Sequence, residues 1–520
     1  MKIRRKKTPP TAGLAAFGEG ALGWLAVGLF WFLAALNLTR TALFWLVDPF
    51  AGKEKVFFGQ DMVWPALLFA AAWVVALAAA KPGESRPGRG RGLMLWVFGL
   101  GLLWLAVVGG DLRADAERMS EAAAQWIEGD FTAFEEGGYL YRFPYQLGYG
   151  LLLEGIYRLF GTDALWAVRL VNLGCVALSF WALWRMAALL LPADTRGGAS
   201  TRVLLFGAVN AVLYATFAYG NLPGMALGMA ALYSQLRWQR GGHWGWMALS
   251  AVCIGFSIWF KTFGLIFLIA QCILLVLEAL RRGSLRPLAG VLAVLVLWQG
   301  VDAGGRAFME RRLGYEMNEG GPMLLTIAMG MQTTTDNSMA EGWFNGYNHR
   351  VYREAGWDEE ASSLQAKADI AARLAEFAAD KKMAARFYWN KTASQWAEPT
   401  YQCLWLSMPI SKLWSGLELT AKEQFIFQGP VDGLLESWMD LYQSMVWLMA
   451  AVYLTLRRRH LDAARLSPAL VVLGGFLFQL LWEAKSQYNL PYFLLAVPYA
   501  SAGVQVLADA LARHRSKGRA

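Results

Sequence analysis

The chain has 520 residues, of which 56% are hydrophobic and only 17% charged, with 25 tryptophans and a formal net charge of +9. Few soluble folds stay in solution with that balance, which excludes a water-soluble globular enzyme and points to a lipid environment. The positive charge needs no nucleic acid partner if it is spent on membrane topology.

Taken in chain order, the opening MKIRRKK leads into an apolar run with no convincing small-residue cleavage site, so the first helix is read as retained. Apolar segments of roughly twenty residues, the length that crosses the hydrocarbon layer, then recur along the chain. Examples are 62–80, 93–108, 203–219, 265–280 and 490–507. Window reading finds about twelve, which predicts an all-α polytopic membrane protein. Lys and Arg collect in every second connection. They fall at Lys2 to Lys7, Lys81 to Arg91, Arg196 and Arg202, Arg237 and Arg240, Arg281 to Arg286, Arg457 to Arg465, and Arg513 to Arg519. By the positive-inside rule both termini are cytoplasmic, as in a multi-pass protein of a plasma or inner membrane. Arg40 and the Lys53 to Lys55 stretch run against the pattern.

This topology divides the chain into a basic N-terminus (1–20), first transmembrane helices (21–110), a first large outer loop (111–161) and central transmembrane helices (162–302). A second outer loop (303–437), C-terminal transmembrane helices (438–511) and a basic tail (512–520) follow. Within the second outer loop, 358–386 reads as an amphipathic helix with Leu364, Ala368, Ile370, Leu374 and Phe377 near helical spacing, so the loop is expected to pack as a small cap. Cys175, Cys253 and Cys272 lie in spans and Cys403 stands alone outside, so no disulfide between outer loops is proposed. His243, His460 and His514 fall on cytoplasmic connections and only His349 outside, which gives a zinc site no support. There is no P-loop or dinucleotide fingerprint, and no cofactor is called for; a divalent cation is left open. The Asn390-Lys391-Thr392 sequon is assigned no role.

The first outer loop carries the strongest chemical signal. Asp111 and Asp115 are four residues apart where the third span leaves the membrane, on one face if the segment is helical. A carboxylate partly buried at a membrane rim suits a general base, because burial raises its pKa; solvated boundary residues are the bland alternative. Lys261, in WFKTFGL, is a lone cation between two apolar segments, either functional or a snorkelling turn residue. Glu483 and Lys485 sit at a membrane re-entry, where they either pair with each other or meet a ligand, and Arg142 is either a phosphate contact or an interfacial anchor.

The order of residues in this loop is itself familiar. An acidic residue after an early span, an Ala/Glu-rich helix, Gly129-Asp130, and then GGYLYRFPYQLGYGLLLEGIYRLFG resembles the first outer loop of the GT-C superfamily of membrane glycosyltransferases. The likeness is to its family 39-like group of protein O-mannosyltransferases and aminoarabinose transferases. GGPMLLTIAMGMQ with GWFNGY, and WEAKSQYNLPYF, are similar to later outer segments of that group. The resemblance implies a GT-C-like fold and transfer of a sugar from a polyprenyl-phosphate donor to a hydroxyl on a lipid, glycan or protein acceptor. It also implies a site on the outer face, inversion at the anomeric carbon and one Asp as base. The family's Asp-Glu pair matches Asp115, with Ala116 in the Glu position and Glu117 one step later, which leaves Asp111 as a second carboxylate, a metal ligand or a boundary charge. Where the family more often has Arg before the late Tyr, Gln487 stands here, so phosphate binding passes to Lys485, with Lys261, Arg142 and Tyr488 as further candidates. Tyr145, Gln146, Trp343 and Glu483 are the candidates for the sugar or acceptor pocket. A transporter or flippase of lipid-linked sugars, or a glycan polymerase, is the alternative; no internal repeat or mid-membrane charge run favours transport.

Overall fold

The structure is a computed structural model that describes residues 9–46, 54–61, 63–79, 90–191, 198–333 and 340–517. The basic residues Lys2 to Lys7, Lys53, Lys81 to Arg89, Arg196 and Arg519 lie outside the described residues. The chain folds as an all-α bundle. Among the described residues, seven helices are long and apolar enough to cross a membrane. They are Ala12–Thr39, Gly90–Val108, Leu165–Leu190, Gly264–Arg282, Arg286–Leu313, Ala463–Leu481 and a last one that begins with the turn at Ser486. Val63–Ala79 and Trp244–Phe260 are shorter apolar helices, and Asn221–Gln239 and Pro430–Arg457 pack among the others. The last helix, Leu490–Lys517, lies at the centre, with Tyr492, Phe493, Leu494 and Leu495 fully buried against Pro430–Arg457.

The segment 203–219, expected as one span, is broken. Gly198–Leu205 and Val209–Thr216 meet at 58°. A side chain at Gly207 would come within 2.5 Å of the Tyr442 ring, so the chain turns where only glycine fits. The carbonyls released by the turn are met from Pro430–Arg457: Tyr442 donates its hydroxyl to Leu204 O (2.7 Å) and Trp438 its indole N–H to Gly207 O (3.0 Å). A break in a span survives only with such substitute donors.

The basic connections gather at one end of the bundle. Arg281 and the backbone N–H of Ala463 both bond Glu19, Arg282 donates to Gln239 O (2.8 Å), Arg458 stacks on Trp24, and Arg465 donates to Leu190 O (3.1 Å). At the opposite end sit the loops. A short hairpin, Thr41–Leu46 paired antiparallel with Glu54–Gly59, joins them through Ala42 N–H to Ala397 O (2.8 Å).

The second loop does form a helical cap. The helix expected over 358–386 is two helices, Glu359–Ala379 and Lys381–Trp396, because Asp380 caps the second by accepting from Lys382 and Met383 N–H groups (3.0 and 2.9 Å). Its inner face also differs. Ser362, Ala366, Ile370 and Phe377 face inward with Arg373, whereas Leu364 and Leu374 are more than half exposed. Arg373 takes the place of a leucine by laying its guanidinium on the Phe377 ring (4.4 Å) while its Nε donates to Met331 O (2.9 Å).

Candidate functional site

The helix Gly90–Val108 ends in two left-handed glycines, Gly109 (φ +70°) and Gly110 (φ +69°), and Arg169 closes the turn by donating to Gly110 O (2.6 Å). The next helix starts only at Ala114, so Asp111 and Asp115 do not share a helical face as expected. Asp111 instead accepts from the Ser411 hydroxyl (2.5 Å) and N–H (3.3 Å). Between the two acids, Arg113 is buried, donating to Met408 O (2.5 Å) and stacking on Trp405 (5.4 Å). Ala114 has φ +48°, a conformation that costs a non-glycine residue about 1–3 kcal/mol and is held by its surroundings. It directly precedes Asp115, which lies in the first helical turn, where the helix dipole favours a carboxylate. Asp115 is open to solvent rather than half-buried.

Around Asp115 stands a group of tyrosines. Tyr219 donates its hydroxyl to Asp115 Oδ2 (3.3 Å) and accepts from the amide of Gln146. Tyr139 stands within electrostatic reach of Asp115, beside Tyr219. Burial, and after it the Asp115 charge, push both phenols well above their ordinary range, so they are hydroxyl donors at neutral pH. Tyr145 stands within electrostatic reach of Asp115 and Glu483 with about half its surface (53%) exposed. Arg142, beside it, donates to Gly138 O (3.1 Å) and stacks on Phe143 (5.3 Å).

Lys261 follows the end of Trp244–Phe260 and is buried. Its ammonium lies over the faces of Tyr219 (4.0 Å) and Tyr488 (5.5 Å), contacts that attract a cation to the ring quadrupole. Burial pushes Lys261 down to about 8, against the pull of the Asp115 and Glu483 charges and with the push of Lys485. Glu483 and Lys485 flank Ala484, which forms a parallel bridge to Trp343 and donates its N–H to Gly342 O (2.8 Å). Side chains alternate along an extended segment, so with Ala484 buried against the cap, Glu483 and Lys485 point the other way. Trp343 itself is fully enclosed behind this segment, donating to the Ser394 hydroxyl (2.9 Å). Gln487 is buried and accepts from the Tyr214 hydroxyl (3.0 Å), which accepts in turn from the Asn221 amide (2.6 Å).

The sequence did not single out Tyr139, Tyr219, Lys391 or Glu398. Tyr219 lies in a short turn already counted as outer, and its signal was position alone. Lys391 is fully buried and donates to three backbone carbonyls, Gly330 (2.5 Å), Trp482 (2.7 Å) and Leu480 (3.1 Å), where two helices end. Burial holds it down at about 7. Glu398 is also enclosed, beside Ser486, and accepts from the N–H groups of Thr400 and Gln402 (2.9 Å each); burial pushes it up to about 7. Among the described residues, no group of three or more His, Cys, Asp or Glu side chains is arranged to hold a metal ion.

Residues 147–299 match the family described as dolichyl-phosphate-mannose-protein mannosyltransferase. The match covers less than a third of the chain. It contains Lys261 and ends short of both Asp115 and Lys485, so the match supports the GT-C resemblance without testing the roles of those two residues. The chain is also similar to the crystal structure of ArnT from Cupriavidus metallidurans bound to undecaprenyl phosphate. Identity is 14%, with 81% of this chain and 78% of that one covered and a TM-score of 0.33. The apo form of the same protein gives 15% identity, 80% and 78% coverage and a TM-score of 0.31. Likeness at this level bears on neither donor nor acceptor. No curated protein is significantly similar to the chain.

Proposed function

We propose that this GT-C membrane glycosyltransferase moves a sugar from a polyprenyl-phosphate donor to an acceptor hydroxyl on the non-cytoplasmic side of the membrane, inverting the anomeric centre. One observation carries the reading. Asp115, Lys261 and the 483–485 segment come from three distant parts of the chain and meet around Tyr219 and Tyr488. The description of the matched family, which names a dolichyl-phosphate sugar, supports the donor class.

In this mechanism the acceptor oxygen attacks the anomeric carbon and its proton passes to Asp115. The bond from that carbon to the phosphate oxygen breaks, and polyprenyl phosphate leaves as a dianion. A phosphate leaving group needs no proton, so one carboxylate suffices where a glycoside hydrolase needs two. The negative charge on the phosphate rises as the bond breaks, and Lys261 and Lys485 stabilise that increment; this is the part of binding that accelerates the reaction. Tyr139 and Tyr219 hold the Asp115 carboxylate toward the acceptor, Tyr488 and Arg142 border the phosphate, and Tyr145, Gln146 and Glu483 line the sugar pocket. Trp343 serves this pocket from behind, by fixing the segment that presents Glu483.

The test is turnover by the purified protein with a polyprenyl-phosphate sugar and a candidate acceptor. Release of polyprenyl phosphate is expected from the wild type and not from a folded Asp115→Asn protein. Full activity in that variant removes Asp115 from the base role.

A further inference from the structure

The helix Leu147–Phe160 and the last turns of Arg286–Leu313 leave between them a groove of about 550 Å³, walled by Leu151, Trp259 and Phe308. Trp259 is two residues before Lys261, so the groove opens at the same end of the bundle as the candidate site. Its polar content is a triad. The Glu154 carboxylate, with only 5% of its side chain exposed, accepts two bonds from Arg312 (2.8 and 2.9 Å) and two from Arg158 (3.0 and 2.7 Å). Arg312 is further tied to Trp126 O (3.3 Å) and stacks on Phe131 (5.1 Å), so it already satisfies the buried acid. Arg158 is a second cation on a carboxylate that needs one. It is half exposed and uses only Nε and Nη2 on Glu154, which leaves its Nη1 donors uncommitted among the described residues.

The surroundings of this excess charge are apolar and turned to the outside. Only 11% of the apolar window of Arg286–Leu313 is buried, Phe308 is half exposed, and a side chain added at Gly155 would meet nothing within 4 Å. A slot with hydrocarbon walls and net positive charge at its rim fits an amphiphile with an anionic head. We propose that the groove binds an anionic phospholipid of the surrounding bilayer. Its phosphate accepts from Arg158 Nη1, and an acyl chain lies in the slot beside Gly155. The site is separate from Lys261 and Lys485 and does not depend on the proposed reaction. One added arginine at a membrane surface favours an anionic lipid by about fivefold, and a fitted slot adds to this.

The test uses the full-length protein in mixed micelles and counts retained lipid by native mass spectrometry. Phosphatidylglycerol and phosphatidylcholine are the probes. The wild type is expected to retain phosphatidylglycerol at least about fivefold over phosphatidylcholine. Arg158→Gln leaves the Glu154–Arg312 pair in place, so the fold holds, and it should bring retention down to the phosphatidylcholine level. Gly155→Leu, which fills the slot with all charges intact, should lower retention of phosphatidylglycerol as well. Equal retention of the two lipids by the wild type, or undiminished phosphatidylglycerol on the Arg158→Gln protein, overturns the proposal. So does displacement of phosphatidylglycerol by an equimolar polyprenyl phosphate, which would assign the groove to the donor. Retention is read without turnover, so failure here leaves the role of Asp115 untouched.

Discussion

Two clusters of ionisable groups lie on either side of the 483–485 segment, and they are built on opposite principles. Behind it, Lys391 and Glu398 are fully enclosed and bonded to backbone groups: three carbonyls on the ammonium, two N–H groups on the carboxylate. In front, the Lys261 ammonium rests on tyrosine faces and makes no hydrogen bond or ion pair among the described residues, while Asp115 is open to solvent. A buried charge saturated by backbone holds the chain in place. A charge that meets only ring faces is, under the proposed function, kept for something that arrives. Burial alone would have ranked Lys391 above Lys261; the identity of the partners reverses that ranking.

The largest effect that would break this comparison is on the front cluster. Asp115→Asn should lower kcat by about 10²–10⁴-fold with an unchanged melting temperature, as expected for loss of a general base. On the rear cluster, Lys391→Met leaves buried carbonyls unpaired and should cost about 3 kcal/mol in a chemical or thermal unfolding assay, with activity falling only as folded protein is lost. If Lys391→Met instead kept its stability and lost turnover, the division between the clusters would be wrong.

Lys261 sharpens the comparison through pH. Its pKa is held at about 8 in the folded chain, against about 10.4 for a free lysine, so the unfolded chain binds more protons between those values. Its contribution to stability therefore rises with pH through that window, while the cation that would meet a phosphate is lost. Turnover at low donor concentration should fall above about pH 8, and Lys261→Met should be weak throughout and lack that alkaline limb. An unaltered limb in the variant would assign the titration to another group. The smallest effect is expected at Asp111, whose partner is the exposed Ser411: Asp111→Asn should change stability by at most about 1 kcal/mol and leave turnover near wild type. An inactive Asp111→Asn protein would place the base one turn earlier in the loop.

The bundle, the basic end and the helical cap were legible in the sequence because hydrophobic length and loop charge are local properties. Asp115, Lys261 and Lys485 were legible as isolated ionisable residues at membrane boundaries. What stayed hidden depends on contacts between distant segments. The break at Gly207 follows from Trp438 and Tyr442 on another helix, and the inner face of Glu359–Ala379 follows from Arg373 lying on Phe377 rather than from the leucine spacing. Tyr219 reads as one tyrosine in a short turn until Asp115, Gln146 and Lys261 are brought to it. Asp111 and Asp115 share a spacing but not a helix, because two left-handed glycines and the left-handed Ala114 start the helix late.

A cryo-EM density map of the protein with bound polyprenyl phosphate tests the proposed site most directly. The phosphate is expected in contact with Lys261 and Lys485, with Asp115 on the side where the sugar would stand. A phosphate seated away from both lysines and from Asp115 would overturn the proposed function.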